Sequence, residues 1–226
     1  MIAIIGAMDE EVAAIRNRMT DCAEENIGPV LFVQGYLNQT QVVLFKSGVG
    51  LSMAAMSTGL ACAHYPLTGI VNIGTAGGLL ESQCVLDQVI STQVTYHDMD
   101  ISVFGNPRSF SSENRFVFNA DPYYIEKAKT LIGDRVLVGP MVSGNQFISE
   151  ESQVKTILTY YPSAICVEME AAAIAHVAAE FKVPFIILRS ISDLVIHPKN
   201  EMSFETYLHK ASDRSAQLCF DFVGLV

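Results

Sequence analysis

The sequence predicts an α/β fold: a single domain with a mixed, mostly parallel central sheet and helices on both faces. Short apolar runs alternate along the chain with segments of helical periodicity, a pattern typical of parallel strands joined by helices. The length of 226 residues suits one domain, and no repeat, linker or low-complexity tract divides the chain. We therefore expect one domain over residues 1–226.

In the first half of the chain, strands are predicted wherever β-forming apolar residues run together. These runs lie at residues 2–5, 31–36, 41–46, 70–73 and 85–94. A helix is predicted from residue 9, where Val12, Ile15 and Met19 share one face, and a second at residues 51–64. Tyr65-Pro66 ends that second helix, because a residue before proline avoids the helical region.

In the second half, helices predominate. They are predicted at residues 122–132, 151–160, 168–181 and 203–223, with strands at 135–142 and 183–190. Residues 102–119, 143–148 and 194–202 are predicted loops. Glu168 and Glu170 fall in the first turn of their helix, where the positive end of the helix dipole favours carboxylates.

Composition excludes several classes of protein. The net charge is −10 without any basic run, so non-specific nucleic-acid binding is excluded. Five scattered cysteines indicate buried thiols in a reducing compartment rather than disulfides. Residues 1–8 are apolar but are followed by Asp9-Glu10-Glu11, which indicates a first strand and not a signal peptide, and no run approaches a membrane span. We expect a soluble, cytoplasmic protein.

The sequence offers no cofactor or metal motif. Gly48-Val49-Gly50 begins a dinucleotide-binding pattern, but Met53 replaces its third glycine, and no Gly-Lys-Ser/Thr phosphate loop is present. The five histidines lack metal-ligand spacing, and His176, within an alanine-rich helix, is interpreted as a packing residue. We expect neither metal nor cofactor.

Four carboxylates are predicted at or just past the ends of core strands: Glu11, Glu168, Glu170 and Asp193. Because the carboxyl ends of parallel strands share one edge, these side chains are expected to converge on one pocket. Clustered carboxylates shift one another's pKa, so that one can donate a proton while another activates water, as cleavage of a glycosidic bond requires. Local chemistry does not decide whether Asp193 or Glu170 is the acid. The nearby glycine-rich segment 74–78 is either a tight turn or a surface that a flat ligand approaches closely.

Seven motifs occur together in one order. They are Ile4-Ile5-Gly6-Ala7-Met8-Asp9-Glu10-Glu11, Lys46-Ser47-Gly48-Val49-Gly50, Gly74-Thr75-Ala76-Gly77-Gly78, Tyr96-His97-Asp98, Val142-Ser143-Gly144, Val167-Glu168-Met169-Glu170-Ala171 and Arg189-Ser190-Ile191-Ser192-Asp193. In these motifs the chain resembles the bacterial 5′-methylthioadenosine/S-adenosylhomocysteine nucleosidases of the nucleoside phosphorylase-like superfamily. The resemblance implies hydrolysis of the N-glycosidic bond of both nucleosides with release of adenine, in methionine salvage.

The resemblance also implies roles for individual residues. Asp193 would protonate adenine at N7, with Ser192 orienting it, and Glu11 would activate the attacking water. Glu170 would hold the ribose 2′-hydroxyl and favour a cationic sugar. The other implied contacts are Arg189 and Thr75 assisting Glu11, Met8 and Met169 against the ribose, Gly77 beside the nucleoside, Phe147 stacked on adenine, the Ile148 backbone at the base edge, and Glu168 in the water and ribose network.

Three positions depart from the family pattern. Thr75 stands where serine is common, and Leu86 where glycine is common, which would reshape a turn. In Phe104-Gly105-Asn106, relatives can carry a second aromatic residue at the asparagine. The resemblance implies a homodimer in which this loop covers the neighbouring subunit's thioalkyl pocket. Phe104 would keep part of that contact, and the high apolar fraction agrees with such an interface.

Three other functions stay open. A phosphorylase would need cationic side chains for phosphate, whereas this chain has Asn72 where such enzymes place an arginine, and an acidic first loop. A nucleoside sensor would not need Glu11 or Asp193. A nucleosidase for another adenosine derivative, such as aminodeoxyfutalosine or 5′-deoxyadenosine, would use the same adenine and ribose contacts.

Overall fold

The computed structural model describes residues 1–131, 133, 135–195 and 200–226, with the side chains of residues 200–202 left aside. The strands are β1 (Ile2–Gly6), β2 (Thr20–Ile27), β3 (Val30–Leu37), β4 (Thr40–Lys46), β5 (Gly69–Gly78), β6 (Gln88–Tyr96), β7 (Phe118–Asn119), β8 (Val136–Ser143), β9 (Cys166–Glu168) and β10 (Phe185–Leu194). The α-helices are α1 (Asp9–Arg16), α2 (Leu51–His64), α3 (Pro122–Lys129), α4 (Glu151–Tyr160), α5 (Ala171–Glu180) and α6 (Asn200–Val223).

The strands form one mixed sheet in the order β10-β6-β8-β9-β5-β1-β4-β3-β2, with β7 paired to β6. Strand β10 also pairs with β5, so that β5, β9, β8, β6 and β10 close into a ring. The central strands β4, β1, β5 and β10 run parallel to one another. Antiparallel pairs join β2 to β3, β3 to β4, β5 to β9, β6 to β7 and β6 to β10. The predicted α/β class with a mixed sheet is confirmed.

Alternation of side chains along the strands explains the helices on both faces. In β1, Ala3 and Ile5 belong to a core cluster that includes Ala54 of α2 and the alanines of α5. Ile2 and Ile4 point the other way, into a cluster with residues of α1, α3 and α6. Helix α4 packs in a third cluster beside β8 and β9. The small residues of α5 let that helix lie close against the sheet.

Two strands that the sequence did not predict, β2 and β7, lie at the periphery of the sheet. Strand β2 is mostly exposed and carries Glu24 and Glu25, so it has no apolar alternation to reveal it. The predicted loop 102–119 contains a 3₁₀ turn, Ser102–Phe104, and the short strand β7. Helix α6 begins at Asn200 instead of residue 203. Within the predicted loop 194–202, residue 194 ends β10 and residues 196–199 lie outside the described residues, as does residue 132 of the predicted helix 122–132.

Two corrections concern the segments nearest the predicted pocket. Residues 74–78 continue β5 rather than forming a turn, because β9 and β10 both pair with them. The helix predicted at 168–181 starts later: Glu168 is the last residue of β9 and Glu170 precedes the first residue of α5. Glu168 therefore faces the sheet and accepts hydrogen bonds from the amides of Glu170 and Ala171 at that helix end.

The backbone conformation of Leu86 explains why glycine is common at this position. Its φ is +73°, in the left-handed region that costs an L-residue about 1 kcal/mol. Its amide still donates to the carbonyl of Ile191, so the turn keeps its place against β10. The leucine thus strains a turn that is hydrogen-bonded to β10.

Two expectations from composition can be compared with the structure. All five cysteines are free thiols; Cys166 and Cys219 are buried as expected, whereas Cys84 is exposed. His176 packs as expected, stacked on Phe118 and hydrogen-bonded to the Tyr96 hydroxyl at 3.1 Å. Among the described helices, none has both the length and the apolar character to cross a membrane.

Candidate active site

A cavity of about 270 Å³ lies where β1, β5, β9 and β10 meet the loops that precede α2 and α4. Its wall contains eleven of the thirteen residues predicted for the site, from five separate segments of the chain. They are Met8, Glu11, Thr75, Gly77, Phe147, Ile148, Glu168, Met169, Glu170, Ser192 and Asp193. Arg189 and Phe104 lie elsewhere.

Glu11 is held in the first turn of α1 by amide donors. Its Oε2 accepts from the amides of Ala7 at 2.7 Å and Met8 at 3.2 Å, and its Oε1 from the amide of Thr75 at 3.0 Å. The Thr75 hydroxyl lies 3.4 Å from the same Oε1. Burial raises the pKa of Glu11, while the positive charge of Arg189 and the amide donors oppose that rise. Such a carboxylate is a stronger base than an exposed one.

Gly74 permits Glu11 and Arg189 to approach each other. A β-carbon at this position would lie 2.0 Å from Nη1 of Arg189 and 2.6 Å from Oε1 of Glu11. The φ of Gly74, +147°, is also unfavourable for other residues. No larger residue fits between the two side chains.

Behind the cavity, Arg189 and Glu168 form a buried ion pair. The guanidinium, fully buried, donates to Oε2 of Glu168, to the Ile73 carbonyl at 2.8 Å and to Oδ1 of Asn72 at 2.8 Å. Glu168 also accepts from the Ser143 hydroxyl. A buried cation is stable only with such partners. This Arg189 network, formed by Arg189, Glu168, Asn72 and Ser143, fixes the floor of the site.

Glu170 has a sparser environment than Glu168. Its Oε1 accepts from the amide of Gly50 at 2.9 Å, and its Oε2 lies 3.7 Å from Nη2 of Arg189. Burial, together with the negative charge of Glu168, raises the pKa of Glu170 to about 7. The group therefore changes charge near neutral pH.

Asp193 and Ser192 sit at a bulge in β10. The register with β5 shifts between Ile191 and Asp193, and this irregularity turns both polar side chains into the cavity. The Ser192 hydroxyl donates to Oδ1 of Asp193 at 2.8 Å. A β-carbon at Gly77 would lie 3.3 Å from Oδ2 of Asp193 and 2.5 Å from Val195, so only glycine leaves room there.

The apolar part of the wall is aromatic and aliphatic. Phe147 is 41% exposed and meets the ring of Phe204 edge to face, with centroids 5.5 Å apart. Ile148 is buried beside it. Met8 and Met169 line the cavity as well. A flat apolar ligand could stack on Phe147 while its polar edge meets Asp193.

Two predicted site residues do not reach this cavity. Arg189 lies behind it, so its influence on a ligand passes through Glu168, Glu170 and Glu11. Phe104 ends the 3₁₀ turn and is 82% exposed. Its neighbour Asn106 stabilises the loop itself, donating to Oδ1 of Asn114 at 2.9 Å and accepting from the amide of Arg115.

Sequence reasoning missed several participants. Asn72 and Ser143 belong to the Arg189 network, and Val49, Gln146 and Phe204 line the cavity. The position of Ser143 directly after an apolar strand was a usable signal. Phe204, near the start of α6 and eleven residues beyond Asp193, gave none.

The carboxylates converge for a reason different from the one expected. Strands β1, β5 and β10 are parallel and do share an edge, which brings Glu11 and Asp193 together. Strand β9 is antiparallel to β5, pairing Val167 with Gly77. Strand β9 therefore runs back along the glycine-rich end of β5 and brings Glu168 and Glu170 into the site.

Known proteins resemble this chain in both sequence and fold. Residues 1–224 match the model of the phosphorylase superfamily. The 5′-methylthioadenosine/S-adenosylhomocysteine nucleosidase of Staphylococcus haemolyticus is 40% identical over 96% of both chains. Solved nucleosidase structures from Neisseria meningitidis, in complex with methylthio-immucillin-A, and from Borrelia burgdorferi, a putative member bound to adenine, both have TM-scores of 0.94. The Neisseria meningitidis protein is 33% identical, and the match covers 100% of this chain and 99% of that one. The Borrelia burgdorferi protein is 30% identical, and the match covers 100% of both chains. The chain belongs to the 5′-methylthioadenosine/S-adenosylhomocysteine nucleosidase family of the phosphorylase superfamily.

Proposed function

We propose that this protein hydrolyses the N-glycosidic bond of 5′-methylthioadenosine and S-adenosylhomocysteine, releasing adenine and the thioribose. One observation carries the proposal. Glu11, Glu170 and Asp193 enter a single cavity whose remaining wall offers Phe147 as a stacking surface. Separate carboxylates for proton donation, water activation and charge stabilisation are the requirements of this reaction.

Asp193 is proposed as the acid. It donates a proton to N7 of adenine while the C1′–N9 bond breaks and its electron pair passes to the base. The Ser192 hydroxyl, donating to Oδ1 at 2.8 Å, orients the carboxyl group. Phe147 stacks on the ring and the backbone of Ile148 meets the base edge, which places N7 toward β10.

Glu11 is proposed as the base. The water oxygen bonds to C1′ as the sugar becomes cationic, and its proton passes to Glu11. Burial raises the pKa of this carboxyl group, which strengthens it as a proton acceptor. Arg189 acts as a positioning residue here, because the missing β-carbon of Gly74 lets its guanidinium approach Glu11.

Glu170 is proposed to bind the ribose 2′-hydroxyl. In its ionised form it also stabilises the oxocarbenium-like sugar. The amide of Gly50 occupies its Oε1, so Oε2 is the oxygen directed to the sugar. Met8 and Met169 pack against the ribose, Gly77 lies beside the nucleoside, and Glu168 organises the water and ribose network from behind.

Water is favoured over phosphate as the nucleophile because the wall is acidic. Among the described residues that line the cavity there is no lysine or arginine, whereas phosphate binding needs cationic donors. Asn72 is fully buried and donates to the Ile5 carbonyl, so it does not serve a phosphate. The charge balance therefore supports hydrolysis.

A homodimer is proposed as the working assembly. Val103 and Phe104 are 85% and 82% exposed, and Val49, Met53 and Met56 are further exposed apolar residues around the start of α2. Pairing two copies would cover these side chains and bring Phe104 to the neighbouring site. The cytoplasmic location expected from the sequence stays a prediction.

The test is adenine release from methylthioadenosine in phosphate-free buffer and again with added phosphate, with identification of the sugar. We expect free methylthioribose at equal rates in both. A phosphate requirement with a sugar-1-phosphate product would identify a phosphorylase instead. Adenine release only from aminodeoxyfutalosine or 5′-deoxyadenosine would keep the chemistry and change the substrate.

A further inference from the structure

The start of α2 receives hydrogen bonds from two distant parts of the chain. Helix α2 has glycine at its N-cap, so its own side chains cannot satisfy the first amides. Two groups replace the missing cap. The amide of Gly50 donates to Glu170 at 2.9 Å, and the amide of Leu51 donates to Oδ1 of Asn145 at 3.0 Å. Glu170 and Asn145 are thus anchored on consecutive amides.

Asn145 is fixed at both its backbone and its side chain. Its own amide donates to Oδ2 of Asp98 at 2.8 Å, and the preceding amide, of Gly144, donates to the Glu168 carbonyl at 3.1 Å. A β-carbon at Gly50 would lie only 3.2 Å from Oδ1 of Asn145, so the contact is a close one. The side chain of Asn145 therefore links the segment after β8 to the start of α2.

This connection joins two groups of residues that line the cavity. Gln146, Phe147 and Ile148 follow Asn145 directly and form the proposed adenine-binding side. Val49 directly precedes Gly50, and the Gly50 amide donates to Glu170 on the proposed ribose side. The separation of adenine and ribose contacts depends on how these two sides are held together.

We propose that Asn145 is a positioning residue for nucleoside binding, because its side-chain oxygen fastens the adenine-stacking segment to the helix end that holds the ribose carboxylate. The inference rests on the proposed function and adds to it a determinant outside the cavity wall. It does not require Asn145 to touch the substrate.

The test compares Asn145→Ala and Asn145→Asp with wild type, using methylthioadenosine for kcat and KM and adenine for calorimetric binding. Asn145→Ala removes the acceptor and is expected to raise KM and the adenine Kd about tenfold, the change that 1.4 kcal/mol for one lost cap produces. Asn145→Asp keeps an acceptor oxygen and is expected to restore both values to within about threefold of wild type.

Asp121→Ala is the matched control. Asp121 caps α3 through the amide of Tyr124 at 3.1 Å, and this helix does not line the cavity. Its loss should lower Tm as Asn145→Ala does but leave KM unchanged. Equal KM values in Asn145→Ala and wild type, or failure of Asn145→Asp to restore binding, would overturn the inference. A wild-type protein that releases no adenine would instead refute the proposed function.

Discussion

Glu168 and Glu170 are separated by one residue and are both buried, yet their surroundings are opposite. Glu168 accepts hydrogen bonds from Ser143, Arg189 and the amides of Glu170 and Ala171. The Glu170 carboxylate, within the described residues, accepts one hydrogen bond, from Gly50, and its Oε2 lies 3.7 Å from Nη2 of Arg189. The Glu168 carboxylate is thus satisfied by donors within the protein, whereas Oε2 of Glu170 is the oxygen that we propose for the ligand.

The same contrast separates the two regions of the site. In the Arg189 network, charge and hydrogen-bond donors are matched inside the protein, so changes there should affect folding first. On the cavity wall, burial is not fully compensated: it raises the pKa of both Glu11 and Glu170. Changes on the wall should affect chemistry first. Four experiments test this division.

Asp193→Asn should have the largest effect. It keeps the shape of the side chain and removes the transferable proton, so kcat is expected to fall about 10³- to 10⁴-fold, near the upper end for a general acid. Adenine binding by calorimetry and Tm should stay close to wild type. A variant with near wild-type kcat would show that Asp193 is not the acid.

Glu168→Gln should mainly destabilise the fold. It removes the principal counter-charge of the fully buried Arg189, so the free energy of unfolding is expected to fall by about 3–5 kcal/mol. Glu170→Gln, measured in the same urea titration, is the control and should lose much less. Equal losses in the two variants would contradict the distinction between network and wall.

As the pH rises and Glu170 ionises, stability and activity should change in opposite directions. Its pKa is about 7 when folded against an ordinary value of 4.5, so the folded state binds more protons in this window. This residue's contribution to unfolding free energy should therefore decrease by about 3 kcal/mol as pH rises from 4.5 to 7. Over pH 6 to 8, kcat/KM should rise as the carboxylate ionises.

Glu170→Gln provides the comparison for that measurement. Denaturant unfolding at several pH values should show a smaller decrease in stability for the variant than for wild type. The rise of activity near pH 7 should disappear with the ionisable group. An unchanged stability profile in the variant would mean that another group titrates in this window.

Thr75→Ser should have the smallest effect. The strong contact to Glu11 comes from the Thr75 amide at 3.0 Å, which the substitution leaves in place, and the hydroxyl at 3.4 Å is retained. We expect kcat and KM to change by less than about twofold, or 0.4 kcal/mol. A tenfold change in either constant would assign the threonine methyl group a role in shaping the site.

Much of the fold followed from local patterns. The spans of α2 and α4 agree with prediction, because Tyr65-Pro66 stops the first and apolar periodicity defines the second. Strand β2 could not be predicted in this way. It is exposed, lacks apolar alternation and exists because its backbone pairs with β3.

The sequence by itself determined which residue types enter the site, since ordered motifs with glycine, carboxylate and hydroxyl groups identify the family. Only the tertiary structure decided which partners each carboxylate has. The antiparallel course of β9 brings Glu168 to Arg189 and Glu170 to the start of α2. These partners lie 21 and 120 residues away, so their donors, and the pKa shift that follows from burial, depend on packing and not on local sequence.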